Sequence, residues 1–394
     1  MRGCMDDQIQ EQYDISVGKI FSNFLCLYAL NVFVRNFYVI ESSMIIVGIC
    51  FAISIMVRIN YIKCAFNSMI FMEMIFFAFL VFTLLRYSGY NRVILIRCFW
   101  TIAFCIPMFA LFYKVSNLNM VLAQTSHAVT FVIVLMLVVT LTADRGQADY
   151  DMTVGYILLY PICFSMSRIR ENKKYICLVL MSGLIILVYG SRGPLLAVMI
   201  FTLMIFLFDK EKRNAENFVW RMILVFFVII VCFFYREILL FVRDIFNNKG
   251  ISVRTIEKLL MGNIAVDSGR SIFYDLAIKN IHEKPILGWG IAGDVVCMEQ
   301  YPHLLFLEIV LDFGYIIGGM LSLFVLYRII KTFIIFHFKN EELCILFCCG
   351  FVPLLLSHSY LQEPLFWVLM GFSCSKNAKE YSHKSRIHNA RFIR

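Results

Sequence analysis

The chain has 394 residues, of which 61% are hydrophobic and only 16% charged, with a mean hydropathy of +0.78. A water-soluble surface of this size needs far more charge, which excludes a soluble multidomain enzyme. The formal charge of +9 collects at segment ends and in the C-terminal tail, where it serves membrane orientation rather than nucleic-acid binding.

Apolar runs of roughly 16–25 residues recur along the chain, each about the length that crosses a ~30 Å hydrocarbon core as a helix. Residues 1–14 are polar and acidic, unlike a cleavable signal peptide. The runs predict spanning helices over residues 17–36, 43–59, 64–85, 93–113, 118–142, 152–167, 175–190, 193–208, 218–235, 304–327, 343–357 and 361–373. The expected fold is therefore an all-α polytopic membrane protein with about twelve transmembrane helices. Most of the 14 cysteines lie inside these runs and behave as small hydrophobes. Cys348 and Cys349 are adjacent, which is wrong for a zinc site. His127, within an apolar run, reads as a histidine satisfied inside the bundle.

Basic clusters set the orientation. Arg168, Arg170, Lys173 and Lys174 form one, and Lys210, Lys212, Arg213 and Arg221 a second. Arg328, Lys331 and Lys339 form a third, and the tail a fourth. All fall on one side of the twelve-helix arrangement, which makes that side and both termini cytoplasmic. The opposite side holds the acidic turn 144–151, the turn 190–193, the stretch 236–303 and the turn 357–364. Arg35, Arg86 and Arg92 also come out on that side: either the first four helices are miscounted or these arginines work outside. The divisions are 1–174 for N-terminal helices, 175–327 for a core holding the extracytoplasmic helical loop 236–303, 328–373 for C-terminal helices, and 374–394 for the tail. Within the loop, Ile272, Phe273, Leu276, Ala277 and Ile281 recur at helical spacing, with Asp267 or Ser268 as a cap and Pro285 after the end.

Three sites could carry chemistry. In Gly190-Ser191-Arg192-Gly193-Pro194, Arg192 stands beside a helix N-terminus, where backbone N–H groups and a guanidinium can share one anion. Snorkelling to lipid headgroups is the other reading of Arg192. Ser268-Gly269-Arg270-Ser271 repeats that setting at the start of the loop helix. The helix runs on to Lys284-Pro285-Ile286-Leu287-Gly288-Trp289-Gly290, a helix stop followed by a flexible glycine turn. Tyr301-Pro302-His303 then precedes a helix, and His303 at the membrane surface can act as base, acid or hydrogen-bond donor, or cap the helix. Glu308, about one turn further, is an intramembrane carboxylate, a costly placement that points to function. Arg236, Arg243 and Arg254 are secondary contacts for a diphosphate or sugar, or else solvated charges. The turn Ser357-His358-Ser359-Tyr360-Leu361-Gln362-Glu363 is dense in hydrogen-bonding groups interleaved with aromatics, as a sugar site requires, which puts His358 and Tyr360 among the candidates.

The ordered set Gly-Ser-Arg-Gly, Ser-Gly-Arg, Lys-Pro-Ile-Leu-Gly-Trp-Gly, Tyr-Pro-His and Leu-Phe-Leu-Glu, with Phe-Gly-Tyr-Ile-Ile-Gly-Gly beyond it, resembles the O-antigen polymerase/ligase family. The match covers roughly residues 175–327, and Leu304 stands where family members commonly carry asparagine. The resemblance implies a GT-C-like membrane glycosyltransferase whose donor is an oligosaccharide on polyprenyl pyrophosphate in the outer leaflet of the bacterial cytoplasmic membrane. In the polymerase branch, the expectation adopted for this chain, the growing glycan passes to the next lipid-linked repeat unit of an O-antigen, capsule or related polymer. In the ligase branch it passes to lipid A–core. Arg192 and Arg270 would neutralise the leaving pyrophosphate, and His303 would orient or deprotonate the acceptor hydroxyl. No metal or other cofactor is expected. The resemblance also implies membrane lipid, a flippase and a chain-length regulator as partners, and no nucleic acid. A lipid-linked oligosaccharide flippase is the competing class; it needs charges along a path near the midplane, for which Glu73 and Arg97 are the comparable residues of the first half.

Overall fold

A computed structural model describes residues 2–37, 43–142, 152–189, 192–208, 237, 240–241, 243–244, 270–336 and 340–375. Every regular element among them is helical. In order they are α1 (Arg2–Phe37), α2 (Ser43–Val57), α3 (Ile59–Arg86), α4 (Ser88–Phe112), α5 (Leu118–Ala123), α6 (Ser126–Thr142), α7 (Met152–Ile157), α8 (Leu159–Arg168), α9 (Lys174–Tyr189), α10 (Arg192–Phe208), α11 (Arg270–Glu283), α12 (Asp294–Met298), α13 (Leu305–Ile335), α14 (Glu341–Leu346), α15 (Val352–Leu356) and α16 (Pro364–Cys374).

Four of the described helices are long and apolar enough to cross a bilayer: Asp7–Arg35 within α1, then α3, α4 and α13. Shorter apolar helices accompany them, including Ser43–Val57, Ser126–Thr142 and Pro364–Cys374. Large aliphatic and aromatic side chains stand exposed along α2, α3 and the second half of α13, among them Ile46, Ile53, Phe71, Phe77, Ile316, Met320 and Leu323. A water-soluble protein rarely exposes such continuous apolar surface; facing lipid, it costs nothing. The chain is a helical membrane protein. The expected span 218–235 lies outside the described residues.

The chain divides into two compact units. The first comprises Met1–Tyr28, Glu41–Ala128 and Ser268–Arg394. Its core is aromatic: Phe21 lies edge-on to Phe112 at 5.5 Å, and Phe24 meets Phe51 and Phe104 at 5.8 and 5.7 Å. Asp14 of α1 accepts hydrogen bonds from the Ser116 hydroxyl and the Asn117 N–H (2.7 and 2.8 Å), fixing the turn that opens α5. Two helices carry π turns, Thr101–Cys105 in α4 and Phe347–Phe351 between α14 and α15. Such turns re-aim a helix face and recur at functional sites. The second unit, Ala29–Ile40 and Val129–Asp267, packs α8 against α9 and α10, with Phe164 between Tyr160 and Tyr175.

Two expectations change. The run 118–142 is two helices, α5 and α6, so His127 falls in the first turn of α6 and is exposed rather than enclosed. Ile272 points outward at 68% exposure, because the buried stripe of α11 runs through Ala277 and Ile281, with Phe273 and Leu276 packed beside it.

Candidate active site

The site is built around a break in α13. At Gly314 the helix leaves helical geometry (φ 75°, ψ 176°), which releases the carbonyls of Leu311 and Asp312 from their in-helix partners. The Gly288-Trp289-Gly290 segment replaces them: the Trp289 N–H donates to Leu311 at 2.9 Å and the Gly290 N–H to Asp312 at 2.8 Å. In return the Tyr315 N–H donates to the Pro285 carbonyl at 2.7 Å. This close crossing explains two of the glycines. Gly288 (φ +63°) and Gly314 (φ +75°) take a left-handed backbone, and a β-carbon on either would come within 2.4 Å of the Asp312 carbonyl or 2.3 Å of that of Ile286. Irregular backbone at membrane depth is tolerated where protein satisfies its polar groups, as happens here.

The strap is pinned rather than flexible. Trp289 donates its indole N–H to the Asn280 carbonyl (2.9 Å), and Lys284 lies over the Trp289 ring while donating to the Tyr87 hydroxyl (2.6 Å). Arg86, at the end of α3, donates to the Gly288 carbonyl at 3.2 Å. Arg86 therefore belongs at the same end of its helix as the loop, in line with an arginine that works on the loop side.

Just before the break, Glu308 and Asp312 stand four residues apart on one face of α13, both fully buried. Their partners come from the turn that joins α15 to α16. The Ser359 hydroxyl donates to one oxygen of Glu308 and the Tyr360 N–H to the other, while the Tyr360 hydroxyl donates to Asp312 at 2.6 Å. The third acid, Asp294, opens α12 and is also fully buried.

Arg97 of α4 answers these carboxylates. Its guanidinium lies 3.3 Å from Asp294 and 3.9 Å from Glu308, donates to the Gln362 side chain at 3.0 Å, and stacks over the Tyr301 ring at 4.5 Å. The Arg97 side chain is only 12% exposed. One turn later, Thr101 in the π turn donates to the Leu361 carbonyl at 2.7 Å, holding the same connecting turn. Burying so many charges is costly unless each is paired and hydrogen-bonded, and nearly all of these oxygens and nitrogens are. The exceptions are Arg97 Nε and Asp312 Oδ1.

His303 lies at the rim of this cluster. Its Nδ1 is 3.3 Å from the Ser357 carbonyl, which can only accept, so the proton sits on Nδ1 and Nε2 keeps its lone pair. The Tyr301 hydroxyl donates to the same carbonyl at 2.8 Å. Tyr301 lies 4.3 Å from the imidazole and Phe273 of α11 edge-on at 5.6 Å. The His303 backbone is left-handed (φ +58°), a conformation that costs a residue with a β-carbon roughly 1–2 kcal/mol and that the surrounding contacts must enforce. Burial pushes the imidazole below its ordinary value. The Ser357 carbonyl opposes this, and the nearby Arg270, Arg97 and His358 add to it. The neutral imidazole at neutral pH is thus a hydrogen-bond acceptor and proton acceptor through Nε2. Burial likewise raises the Tyr301 phenol, keeping it a donor.

Of the residues singled out in the sequence, His303, Arg270, Glu308, His358 and Tyr360 gather in this one unit. Arg270 is the first residue of α11, and His358 is joined to Glu363 at 2.6 Å. Arg192 is the first residue of α10 in the other unit. Arg243 pairs with its neighbour Asp244 at 2.8 Å. Arg236 and Arg254 lie outside the described residues. Sequence reasoning did not place Arg97, Asp294 or Asp312 in the site. A charge inside the run Val-Ile-Leu-Ile-Arg-Cys-Phe-Trp, and a second acid four residues after Glu308, were the available signals. Among the described residues no group of three His, Cys, Asp or Glu side chains is arranged to hold a metal ion.

These features define the class: a helical membrane protein that keeps a paired, buried charge cluster beside a neutral histidine. The chain is similar to a ComP-specific O-oligosaccharyltransferase of Acinetobacter baylyi, 26% identical over 275 residues. The match covers 62% of this chain and 46% of that protein, so the chain spans about half the length of the curated relative it matches. No family model matches the chain, and no solved structure matches it.

Proposed function

We propose that this protein is a membrane glycosyltransferase that moves a glycan from a polyprenyl-pyrophosphate-linked oligosaccharide to an acceptor hydroxyl. The observation that carries the reading is His303, fixed with its proton on Nδ1 by the Ser357 carbonyl and with Arg270 within electrostatic reach. Nε2 then accepts the proton of the attacking hydroxyl as the glycosidic carbon–oxygen bond to pyrophosphate breaks. Arg270 neutralises the departing diphosphate, and Arg192 is assigned the same role from its place in the sequence, with Arg236, Arg243 and Arg254 as secondary contacts. His358, Tyr360 and Glu308 shape the acceptor side. The similarity to an O-oligosaccharyltransferase supports glycan transfer over transport.

The acceptor has two readings. In the first, the next lipid-linked repeat unit accepts the growing chain, which makes the protein a repeat-unit polymerase for O-antigen, capsule or a related polymer, working beside a flippase and a chain-length regulator. In the second, a ligase-type reaction caps a different acceptor, such as lipid A–core; the A. baylyi relative, whose activity is O-oligosaccharyl transfer, favours this one. Both readings place about twelve spans in a GT-C-like arrangement, with the termini cytoplasmic and the site on the extracytoplasmic face.

The test is reconstitution of the purified protein in liposomes with a polyprenyl-pyrophosphate-linked oligosaccharide and chelator. Release of polyprenyl pyrophosphate with glycan extension supports the polymerase, and release only when a second acceptor is added supports the ligase. Movement of the lipid across the bilayer without release overturns transfer in favour of a flippase.

A further inference from the structure

We propose that Arg97 is a positioning residue of the transfer reaction: through Tyr301 and the turn 357–362 it fixes the Ser357 carbonyl that holds the proton of His303 on Nδ1. The inference rests on the transfer reading above and deepens it.

Arg97 reaches the turn by two routes. Directly, it donates to Gln362 at 3.0 Å. Indirectly, it lies 3.9 Å from Glu308, whose two oxygens hold Ser359 and the backbone of Tyr360. It reaches the histidine's own segment by a third, its guanidinium stacked 4.5 Å over Tyr301. Tyr301 and His303 both end on the Ser357 carbonyl, Tyr301 at 2.8 Å and His303 at 3.3 Å. Asp294, fully buried, anchors the guanidinium from behind at 3.3 Å.

The ring of His303 has little else to set its tautomer. Its neighbours are Tyr301, Phe273 of α11, Arg270 at the head of α11, Arg97 of α4 and His358 of the turn. The two guanidinium groups offer only donors, whereas the Ser357 carbonyl can accept the Nδ1 proton. If the turn shifts, the proton is free to move to Nε2, and the ring then offers a donor where the reaction needs an acceptor. Arg97 never touches the reacting atoms in this scheme; it acts through Tyr301 and Ser357.

The experiment uses the full chain in nanodiscs, with a polyprenyl-pyrophosphate-linked oligosaccharide as substrate and polyprenyl pyrophosphate release as readout. His303→Ala, Tyr301→Phe and Arg97→Gln are compared with the parent. Tyr301→Phe keeps the ring under the guanidinium and removes only the hydroxyl. It is expected to lower kcat about 10- to 100-fold with KM unchanged, the size expected of a displaced catalytic group. Arg97→Gln is expected to lower kcat at least as far. It should also shift the pH midpoint of diethyl pyrocarbonate modification at His303, since both a nearby cation and the hold on the Ser357 carbonyl change. That modification is read by peptide mass and needs no turnover. Should Arg97→Gln fail to fold, Tyr301→Phe, with the charge cluster intact, decides. Parental kcat in Tyr301→Phe beside an inactive His303→Ala overturns the positioning role and leaves the transfer reading standing. Parental activity in His303→Ala overturns the transfer reading itself.

Discussion

Tyr301 and His303, two residues apart, direct their donors onto a single acceptor, the carbonyl of Ser357, at 2.8 and 3.3 Å. A carbonyl oxygen has two lone pairs, so the pair saturates it. Both side chains are thereby held by backbone from a turn more than fifty residues away, and the imidazole keeps Nε2 as its acceptor.

The arrangement separates base from scaffold. His303→Asn suits the left-handed backbone, which asparagine tolerates, and keeps a hydrogen-bonding group, but it cannot take up a proton. Transfer should fall by about 10²–10⁴-fold while expression and thermal unfolding stay near those of the parent. His303→Ala should lose as much and also some stability, from the strained φ. Full turnover in the asparagine variant, measured as polyprenyl pyrophosphate release, would leave the histidine only an orienting role.

The crossing of the strap over the broken helix makes a different prediction. Gly288→Ala places a β-carbon 2.4 Å from the Asp312 carbonyl, a backbone atom that cannot swing away, and the left-handed φ alone costs about 1–2 kcal/mol. The variant should unfold at lower temperature in detergent. Gly319→Ala is the control: it lies in the same helix with nothing within 4 Å, so it should be neutral or gain up to about 1 kcal/mol from helix propensity. Equal melting of the two variants would mean that the strap is not locked on α13.

Arg270 and Arg192 are each proposed to hold diphosphate oxygens through a guanidinium fork. Lysine supplies the charge without the fork. Arg270→Lys and Arg192→Lys should each raise KM for the lipid-linked donor and lower kcat, by about tenfold or more in kcat/KM, since a charge-assisted bond contributes about 1.5–3 kcal/mol. Unchanged kinetics in Arg192→Lys would return that residue to a headgroup anchor.

Much of the helical order was readable, because apolar runs of spanning length have few other uses: α2, α3, α4 and the start of α13 fall close to the runs that predict them. The breaks were not. The joint between α5 and α6 carries no proline or glycine, and the kink of α13 depends on N–H groups lent by Trp289 and Gly290, which no local pattern around Gly314 reveals. The site divides the same way. His303, Arg270, His358 and Tyr360 stood out as polar groups at turns and helix starts, and Glu308 as a carboxylate inside an apolar run. Arg97 showed only that a buried charge needs a partner. The partner, Asp294, lies 197 residues away, and nothing in a single sequence pairs them.

The electrostatics around His303 give the last prediction. Burial, together with Arg270, Arg97 and His358, holds the imidazole below its ordinary value of 6.5, against the opposing hydrogen bond to Ser357. Transfer needs the neutral ring, so activity should be complete above pH 6.5 and be lost only as the pH falls through the lowered folded value. In the window between those two values the unfolded chain binds a proton that the folded site refuses, so the same protonation also erodes stability as the pH falls. Arg270→Gln removes one of the cations that disfavour the imidazolium. His303 should then protonate more readily, and the acidic limb of kcat/KM should move toward neutral pH even though the absolute rate has dropped. A variant that lost only diphosphate binding would lower the whole profile without moving its limb. The measurement is the pH dependence of polyprenyl pyrophosphate release for parent and variant at one ionic strength, since screening weakens the Arg270 contribution. A parental limb at or above pH 6.5, or one that stays in place in Arg270→Gln, would remove His303 as the base.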